Sequence, residues 1–123
     1  FNGEIYNHME LRRSHLSNEV FGSISDTETL MHMIIKYGVV NTVKLLDGIF
    51  AFSLYDEIEK KLYLARDHIG AKPLYYWKDP HIGKLQWGSY PSAIVNSTSR
   101  TWKMNVKSLQ NCLLFGELIK LLE

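Results

Sequence analysis

The chain has 123 residues, of which 46% are hydrophobic and 22% charged, and a net charge of +1, so its length suits one domain with its own core. Acids and bases are nearly balanced and no basic run occurs, which argues against nucleic acid or an anionic membrane as the main partner. No apolar run approaches membrane-spanning length, and the single cysteine, which cannot form an internal disulfide, fits a reducing compartment such as the cytoplasm.

The chain starts at Phe1 in the middle of a pattern, and we interpret it as a piece of a longer polypeptide. Residues Phe1–Ile5 are predicted to be the end of a strand. The strand is expected to run into a turn at Gly3, because Asn-Gly is a common turn dipeptide.

Two helices are predicted next. Asn7 is expected to cap the first, which continues to about Leu16, with Glu10 as the acid of a capping box. The pair Ser25–Asp26 is expected to start the second, and Gly38 to end it. Four residues at helical spacing give the second helix one apolar face: Leu30, Met33, Ile34 and Tyr37.

An antiparallel hairpin is the strongest pattern in the chain. After a short predicted helix over Val40–Leu46, the strands Asp47–Asp56 and Lys61–Asp67 are joined by the polar turn Glu57–Lys60. Both strands are apolar on both faces until their ends, whereas a half-exposed strand shows polar residues at alternate positions. We therefore expect this sheet to be covered on both sides, by helices on one face and a second sheet on the other.

The last third of the chain is predicted to hold two more strands and two helices. The strands are Leu74–Lys78 and Lys84–Ser89, followed by a helical turn over Ser92–Asn96. Asn105 is expected to cap a final helix that runs to Phe115, with Gly116 ending or bending it. Helices, strands and a closing helix together predict an α+β fold.

Four blocks carry a family resemblance: Phe1–Asn7, Ser25–Glu28, Leu46–Phe52 and Leu64–Tyr76. In this order and spacing they resemble the glutaminase domain of glutamine-hydrolysing asparagine synthetase. That domain is a class II glutamine amidotransferase with the N-terminal-nucleophile (Ntn) hydrolase fold. The resemblance implies an α+β, four-layer αββα sandwich, here incomplete. Residues 1–123 would be part of that domain, without its N-terminal strands and without the synthetase domain.

The resemblance assigns the glutamine-binding residues. Asn2 and Gly3 match the oxyanion hole, in which a side-chain amide and a main-chain N–H stabilise the charge that develops on the substrate amide oxygen. Glu4 matches a position that lines the glutamine pocket, although it could equally be a solvated acid. Asp26 matches the residue that binds the α-ammonium group of glutamine. An ordinary N-cap is the alternative for Asp26, and both roles hold if Ser25 is the cap.

The signature Arg66-Asp67 to Lys72-Pro73 is interpreted as architectural. We expect an Arg66–Asp67 network to fix a tight turn in which Gly70 adopts a positive φ. A phosphate site built from Arg66 and Lys72 is the less favoured alternative. His68 is expected to be a turn residue rather than a catalytic base.

The sequence offers no nucleophile and no metal cluster. In the family the nucleophile is an N-terminal cysteine whose α-amino group acts as base, whereas Phe1 has no such side chain. Cys112 lies on a predicted helix, where a buried, inert thiol is expected. His8 and His15 could share a helix face, but two ligands are too few for a metal site.

The resemblance also implies partners and cofactors. The substrate would be L-glutamine, and the parent protein would use the released ammonia to amidate aspartate in asparagine biosynthesis. ATP and magnesium would act in the synthetase domain of the same parent chain, and this segment would hold no cofactor. A homodimer is left open. We expect the 123-residue chain alone to hydrolyse no glutamine.

Two positions depart from the family pattern. Tyr90 stands where the family usually has an acid, and Ser92 where it has a lysine. These substitutions leave two alternatives open. One is a non-catalytic amidotransferase-like domain that binds or regulates, and the other is a different class II amidotransferase.

Overall fold

The computed structural model of the protein describes the backbone of residues 1–115 and the side chains of residues 1–110. The elements in chain order are β1 (Asn2–Ile5), α1 (His8–His15), α2 (Asp26–Tyr37), α3 (Val39–Val43), β2 (Gly48–Asp56), β3 (Lys61–Arg66), β4 (Tyr75–Lys78), β5 (Leu85–Gly88), α4 (Pro91–Asn96) and α5 (Val106–Phe115). Sequence length predicts one domain, whereas the structure divides the chain into two compact units, Phe1–Tyr75 and the residues from Tyr76 onward. Among the described residues, no helix is both long and apolar enough to cross a membrane.

The first unit contains a three-stranded antiparallel sheet in the order β1-β2-β3. The predicted hairpin is confirmed, with a register that runs from Ala51 opposite Arg66 to Asp56 opposite Lys61. Asp56 stabilises the turn, because its Oδ1 accepts hydrogen bonds from the N–H groups of Ile58 and Glu59, each at 2.9 Å. Strand β1 pairs with the other edge of β2 and brings the front of the chain into the same sheet.

Helices pack on one face of this sheet, as the sequence predicts. The buried core consists of residues from β1, β2 and the helical segments: Ile5, Leu11, Leu16, Leu30, Met33, Phe50 and Phe52. Ile34 and Tyr37 pack against this core, so the apolar face predicted for α2 is confirmed. The fold is mixed α+β, and the four-layer sandwich stays a prediction.

The two capping predictions had different outcomes. Ser25 caps α2, because its Oγ accepts a hydrogen bond from the N–H of Thr27 at 3.2 Å. The capping box predicted at Asn7 is wrong, since no side chain caps α1. Instead the Asn7 amide donates to the carbonyl oxygen of Leu45 at 2.8 Å and accepts from the N–H of Asp47 at 3.0 Å. Asn7 therefore ties the entrance of α1 to the chain that leads into β2.

The second unit contains the β4-β5 sheet and two helices. Asp79 stabilises the connecting turn by accepting hydrogen bonds from the N–H groups of His81 at 2.8 Å and Ile82 at 3.2 Å. The cap predicted for α5 is confirmed, because the Oδ1 of Asn105 accepts from the N–H of Ser108 at 3.0 Å. Gly116 and the side chain of Cys112 lie outside the described residues.

Candidate functional site

Strand β1 and the start of α2 meet through one hydrogen bond. The N–H of Ile5 donates to Oδ2 of Asp26 at 2.9 Å, and Asp26 is half-buried there. Ser25 serves as the cap, which leaves the Asp26 carboxylate free to face β1. The structure thus joins Asp26 to the strand that carries Asn2, Gly3 and Glu4.

Gly3 lies within a strand, so the predicted turn at this position is wrong. Its φ is +137°, and a Cβ built there would overlap the carbonyl oxygen of Ile49 and come within 2.6 Å of the Cα of Phe50. Gly48 on the partner strand is under the same constraint, because its Cβ would overlap the carbonyl oxygen of Glu4. The two glycines allow β1 and β2 to approach more closely than side chains would permit.

Asn2 and Glu4 share one face of β1. Each is exposed, and their partners across the strand pair are Ala51 and Ile49. Because alternate residues of a strand point to the same side, the carboxamide and the carboxylate project from the face opposite Ile5. From Asn2 to Ile5, where Asp26 is attached, the strand spans about 10 Å.

Asp67 organises the segment that follows β3. It is buried, at 4% exposure, and its carboxylate accepts hydrogen bonds from four main-chain N–H groups: Phe50 at 3.2 Å, Ile69 at 3.1 Å, Ala71 at 2.9 Å and Lys72 at 3.1 Å. Burial raises the pKa of Asp67, but the main-chain hydrogen bonds outweigh it and lower the pKa to about 2. The ionised carboxylate therefore holds the turn against β2.

The sequence predicted that Arg66 pairs with Asp67, and this prediction is wrong. In the part of the chain whose side chains are described, no ion pair joins these two residues, because main-chain N–H groups take both carboxylate oxygens. Gly70 has a φ of +71°, as predicted, and the Arg66 guanidinium packs over it. Asp67 binds the N–H groups of Ala71 and Lys72, and the phosphate site built from Arg66 and Lys72 stays the less favoured alternative. His68 lies in a turn, as predicted.

Sequence reasoning missed Arg12 and Glu28, which hold the loop before Asp26. Arg12 donates at 2.7 Å to the carbonyl oxygens of Ser23 and Ser25 and to Oγ1 of Thr29. The Glu28 carboxylate accepts hydrogen bonds from the Ser23 hydroxyl and from the N–H groups of residues 22 and 23, and these bonds lower its pKa. The sequence signal for these contacts is an arginine in the weakly amphipathic α1. Its partners lie 11 to 17 residues away, so no local pattern identifies them.

His15 of α1 contacts a serine and a tyrosine. Nδ1 of His15 lies 2.7 Å from Oγ of Ser14, and its ring packs edge-on against Tyr37. No group of three or more His, Cys, Asp and Glu side chains suited to a metal ion occurs among the residues that the structure describes.

The sequence matches the glutamine amidotransferase domain family over residues 1–120. The chain belongs to this family.

The chain is also similar to curated asparagine synthetases. The chain is 49% identical over 74 residues to asparagine synthetase [glutamine-hydrolyzing] 1 of Arabidopsis thaliana, with 60% of this chain aligned. It is 44% identical over 75 residues to the Bos taurus asparagine synthetase and 41% identical over 80 residues to asparagine synthetase 3 of Bacillus subtilis. These alignments cover 61% and 64% of this chain. The chain spans only 12–13% of the length of these relatives.

Proposed function

We propose that this chain is the glutamine-binding part of a glutaminase domain in an asparagine synthetase. The parent protein releases ammonia from glutamine and transfers it to aspartate in an ATP- and magnesium-dependent step. The observation that carries the proposal is the 2.9 Å hydrogen bond from the N–H of Ile5 to Asp26. This bond places an acid beside the strand that carries Asn2, Gly3 and Glu4.

The arrangement suits an amino acid with a terminal amide. The Asn2 carboxamide and the Gly3 N–H are hydrogen-bond donors for the amide oxygen, which gains negative charge during hydrolysis. The Asp26 carboxylate is an acceptor for the α-ammonium group, and a charge-assisted bond of this kind selects an amino acid over a simple amide. Glu4 adds a second carboxylate on the exposed face of β1.

The nucleophile is not among the described side chains. Glutamine hydrolysis through a thioester needs a thiol and a base that takes its proton, and Phe1 supplies no thiol. In this proposal the chain binds and orients glutamine, and it does not turn glutamine over alone. The sandwich fold with four layers and a cytoplasmic location belong to the same proposal, and the single cysteine supports the latter.

The sharpest test compares two substrates in the full-length protein that carries this chain. Ammonia release is measured with glutamine and with glutaramate, which has the amide but no ammonium group. Asp26→Asn is expected to lower the preference for glutamine at least ten-fold, because only glutamine loses a charge-assisted bond. Asn2→Ala is expected to lower kcat for both substrates by about a hundred- to a thousand-fold.

The matched control is Asp56→Asn, which alters a carboxylate in the exposed hairpin turn. This variant should keep both rates. If Asp26→Asn lowers the rates with both substrates equally, Asp26 only anchors β1 and the proposed ammonium contact is wrong. If the full-length protein binds glutamine without releasing ammonia, the chain is a binding domain and the catalytic proposal fails.

A further inference from the structure

The second unit contains a groove that the proposed function does not use. It lies between the β4-β5 turn and the segment after α4, and its volume is about 460 Å³, within the range of small-molecule sites. Trp77, Lys84 and Gln86 line the sheet side. Ser97 and Arg100, from the segment after α4, also line the groove.

The groove carries an excess of positive charge. Arg100 and Lys84 line it, and Asp79 is the one carboxylate among the lining residues. Main-chain N–H groups of the turn already donate to Asp79, and these hydrogen bonds are the main cause of its lowered pKa. In the residues with described side chains, no carboxylate lies within 4.0 Å of Arg100 or Lys84. Asp79 interacts with Arg100 only at longer range, so an added anion can contact both cations directly.

Aromatic rings hold Arg100 in place. Its guanidinium lies 5.7 Å from the centroid of the Trp77 ring and 5.6 Å from that of Trp102. The two indoles pack edge-to-face at 5.3 Å, and Nε1 of Trp102 donates to Oγ1 of Thr98 at 3.1 Å. A guanidinium fixed by rings loses little freedom when it binds an anion, and its planar fork fits carboxylate and phosphate groups.

The ring of Trp77 gives the groove an apolar wall, and Ile82 adds an exposed apolar rim. Part of the lining is polar, because Nε2 of Gln86 donates to Oγ of Ser97 at 2.7 Å. A ligand that fits the Trp77 ring and the two cations has a flat apolar part and a negatively charged group. The volume of about 460 Å³ suits a small molecule.

We propose that this groove binds a small aromatic anion, with its phosphate or carboxylate group against Arg100 and Lys84 and its ring against Trp77. The lining residues of the groove do not include Asn2, Gly3, Glu4 or Asp26. The charged group provides most of the affinity, and the ring provides the selectivity over inorganic anions.

The three tryptophans of the chain allow a direct test by nuclear magnetic resonance of their indole N–H groups. Trp77 lines the groove, and Trp102 contacts Arg100. Trp87 follows Gln86 on β5, so it projects from the other face of the sheet and serves as an internal reference. Phenyl phosphate and benzoate, added separately to the 123-residue chain, distinguish a phosphate from a carboxylate ligand.

The expected result is a saturable shift of the Trp77 and Trp102 signals, with Trp87 unchanged, for at least one of the two probes. Inorganic phosphate and phenol, which each lack one half of the ligand, should bind at least about ten-fold more weakly. Arg100→Met should weaken binding by about ten-fold or more, since a charge-assisted hydrogen bond is lost. Lys84→Gln should weaken it less and leaves the indole pair intact.

Lys78→Gln is the matched control, because Lys78 follows Trp77 on β4 and projects away from the groove. It should leave the affinity unchanged. Equal shifts of all three indoles, no saturation up to about 10 mM, or the same affinity in Lys84→Gln and Lys78→Gln would each overturn the proposal. Inorganic phosphate that binds as tightly as phenyl phosphate would overturn the aromatic part of it.

Discussion

The two units of the chain are stabilised in different ways. Of the nine apolar residues that are buried among the described side chains, eight belong to the unit Phe1–Tyr75, and Ile94 is the exception in the other unit. The first unit therefore depends on a packed core between helices and sheet. Among the described residues of the second unit, the contacts are mainly turns, caps and the Trp77–Trp102 pair.

Each unit also has an aspartate that stabilises a turn, and the aspartate of the first unit is the more deeply buried of the two. Asp67 is buried and accepts four main-chain hydrogen bonds, whereas Asp79 is half-buried and accepts two. The pKa of both carboxyls is lowered, that of Asp67 to about 2. At Asp67 burial favours the neutral carboxyl, and the four main-chain hydrogen bonds outweigh this effect.

Removal of core volume should have the largest effect. Phe52 is 4% exposed in the core of the first unit, and Phe52→Ala is expected to cost about 3–5 kcal/mol of unfolding free energy, because it leaves a cavity. Urea denaturation followed by circular dichroism measures this loss. Ile35→Ala on the same unit is the control, since Ile35 is 79% exposed and its truncation should cost less than about 0.5 kcal/mol. Equal losses in both variants would contradict the assignment of the core.

A side chain at Gly3 should have the next largest effect. Gly3→Ala is expected to cost more than about 2 kcal/mol, because the new Cβ overlaps the backbone of β2 and the residue has a positive φ. Gly22→Ala is the matched control, since a Cβ there meets its nearest atom at 3.6 Å. The difference in urea midpoint between the two variants measures the strain. A Gly3→Ala variant as stable as Gly22→Ala would refute the close approach of β1 and β2.

Acid should weaken the first unit through Asp67. Its folded pKa of about 2 lies below the ordinary value of 3.8, so its contribution to stability is fully present above pH 4 and is lost as the pH falls towards 2. Asp67→Asn should lower the melting temperature at pH 6 and flatten its decline between pH 4 and 2. Asp79→Asn should flatten this decline less. Identical pH profiles for wild type and Asp67→Asn would show that the carboxylate does not stabilise the fold.

Loss of the Arg12 contacts should have the smallest effect of the four. Arg12→Met is expected to cost about 1–2 kcal/mol, because hydrogen bonds to the loop before Asp26 are lost. Limited proteolysis within residues 17–25 should become faster. Arg13→Met, at an exposed position of the same helix, should change neither measurement. If the two variants behave alike, the loop does not depend on Arg12.

The elements that the sequence predicted correctly are those with local signals. The hairpin followed from apolar residues with a period of two and a polar turn, and the start of α2 from Ser25. Both signals lie within a few residues of the structure that they predict. The resemblance to the family, drawn from four blocks of sequence, is confirmed by the family match.

The wrong predictions concern interactions between distant residues. Asn7 reaches groups 38 and 40 residues away, so its capping propensity was not used. The Asn2-Gly3 dipeptide is typical of a turn, but Gly3 pairs with Phe50 and lies in a strand. Asp67 was assigned a charged neighbour, whereas main-chain N–H groups bind it. In each case tertiary contacts overrode a local preference, and no local pattern encodes them.

Asp67 has a consequence for how this protein can be engineered. Where β3 ends, its carboxylate binds the N–H of Phe50 while its own N–H donates to the carbonyl oxygen of Phe50 at 2.8 Å. The alignment of β2 with β3 is thus secured at the open end of the hairpin, far from residues 57–60. A peptide insert in that loop raises the entropic cost of loop closure by only about 0.6 kcal/mol for each doubling of the loop length. The loop is therefore a suitable position for an epitope tag or a fluorescent reporter.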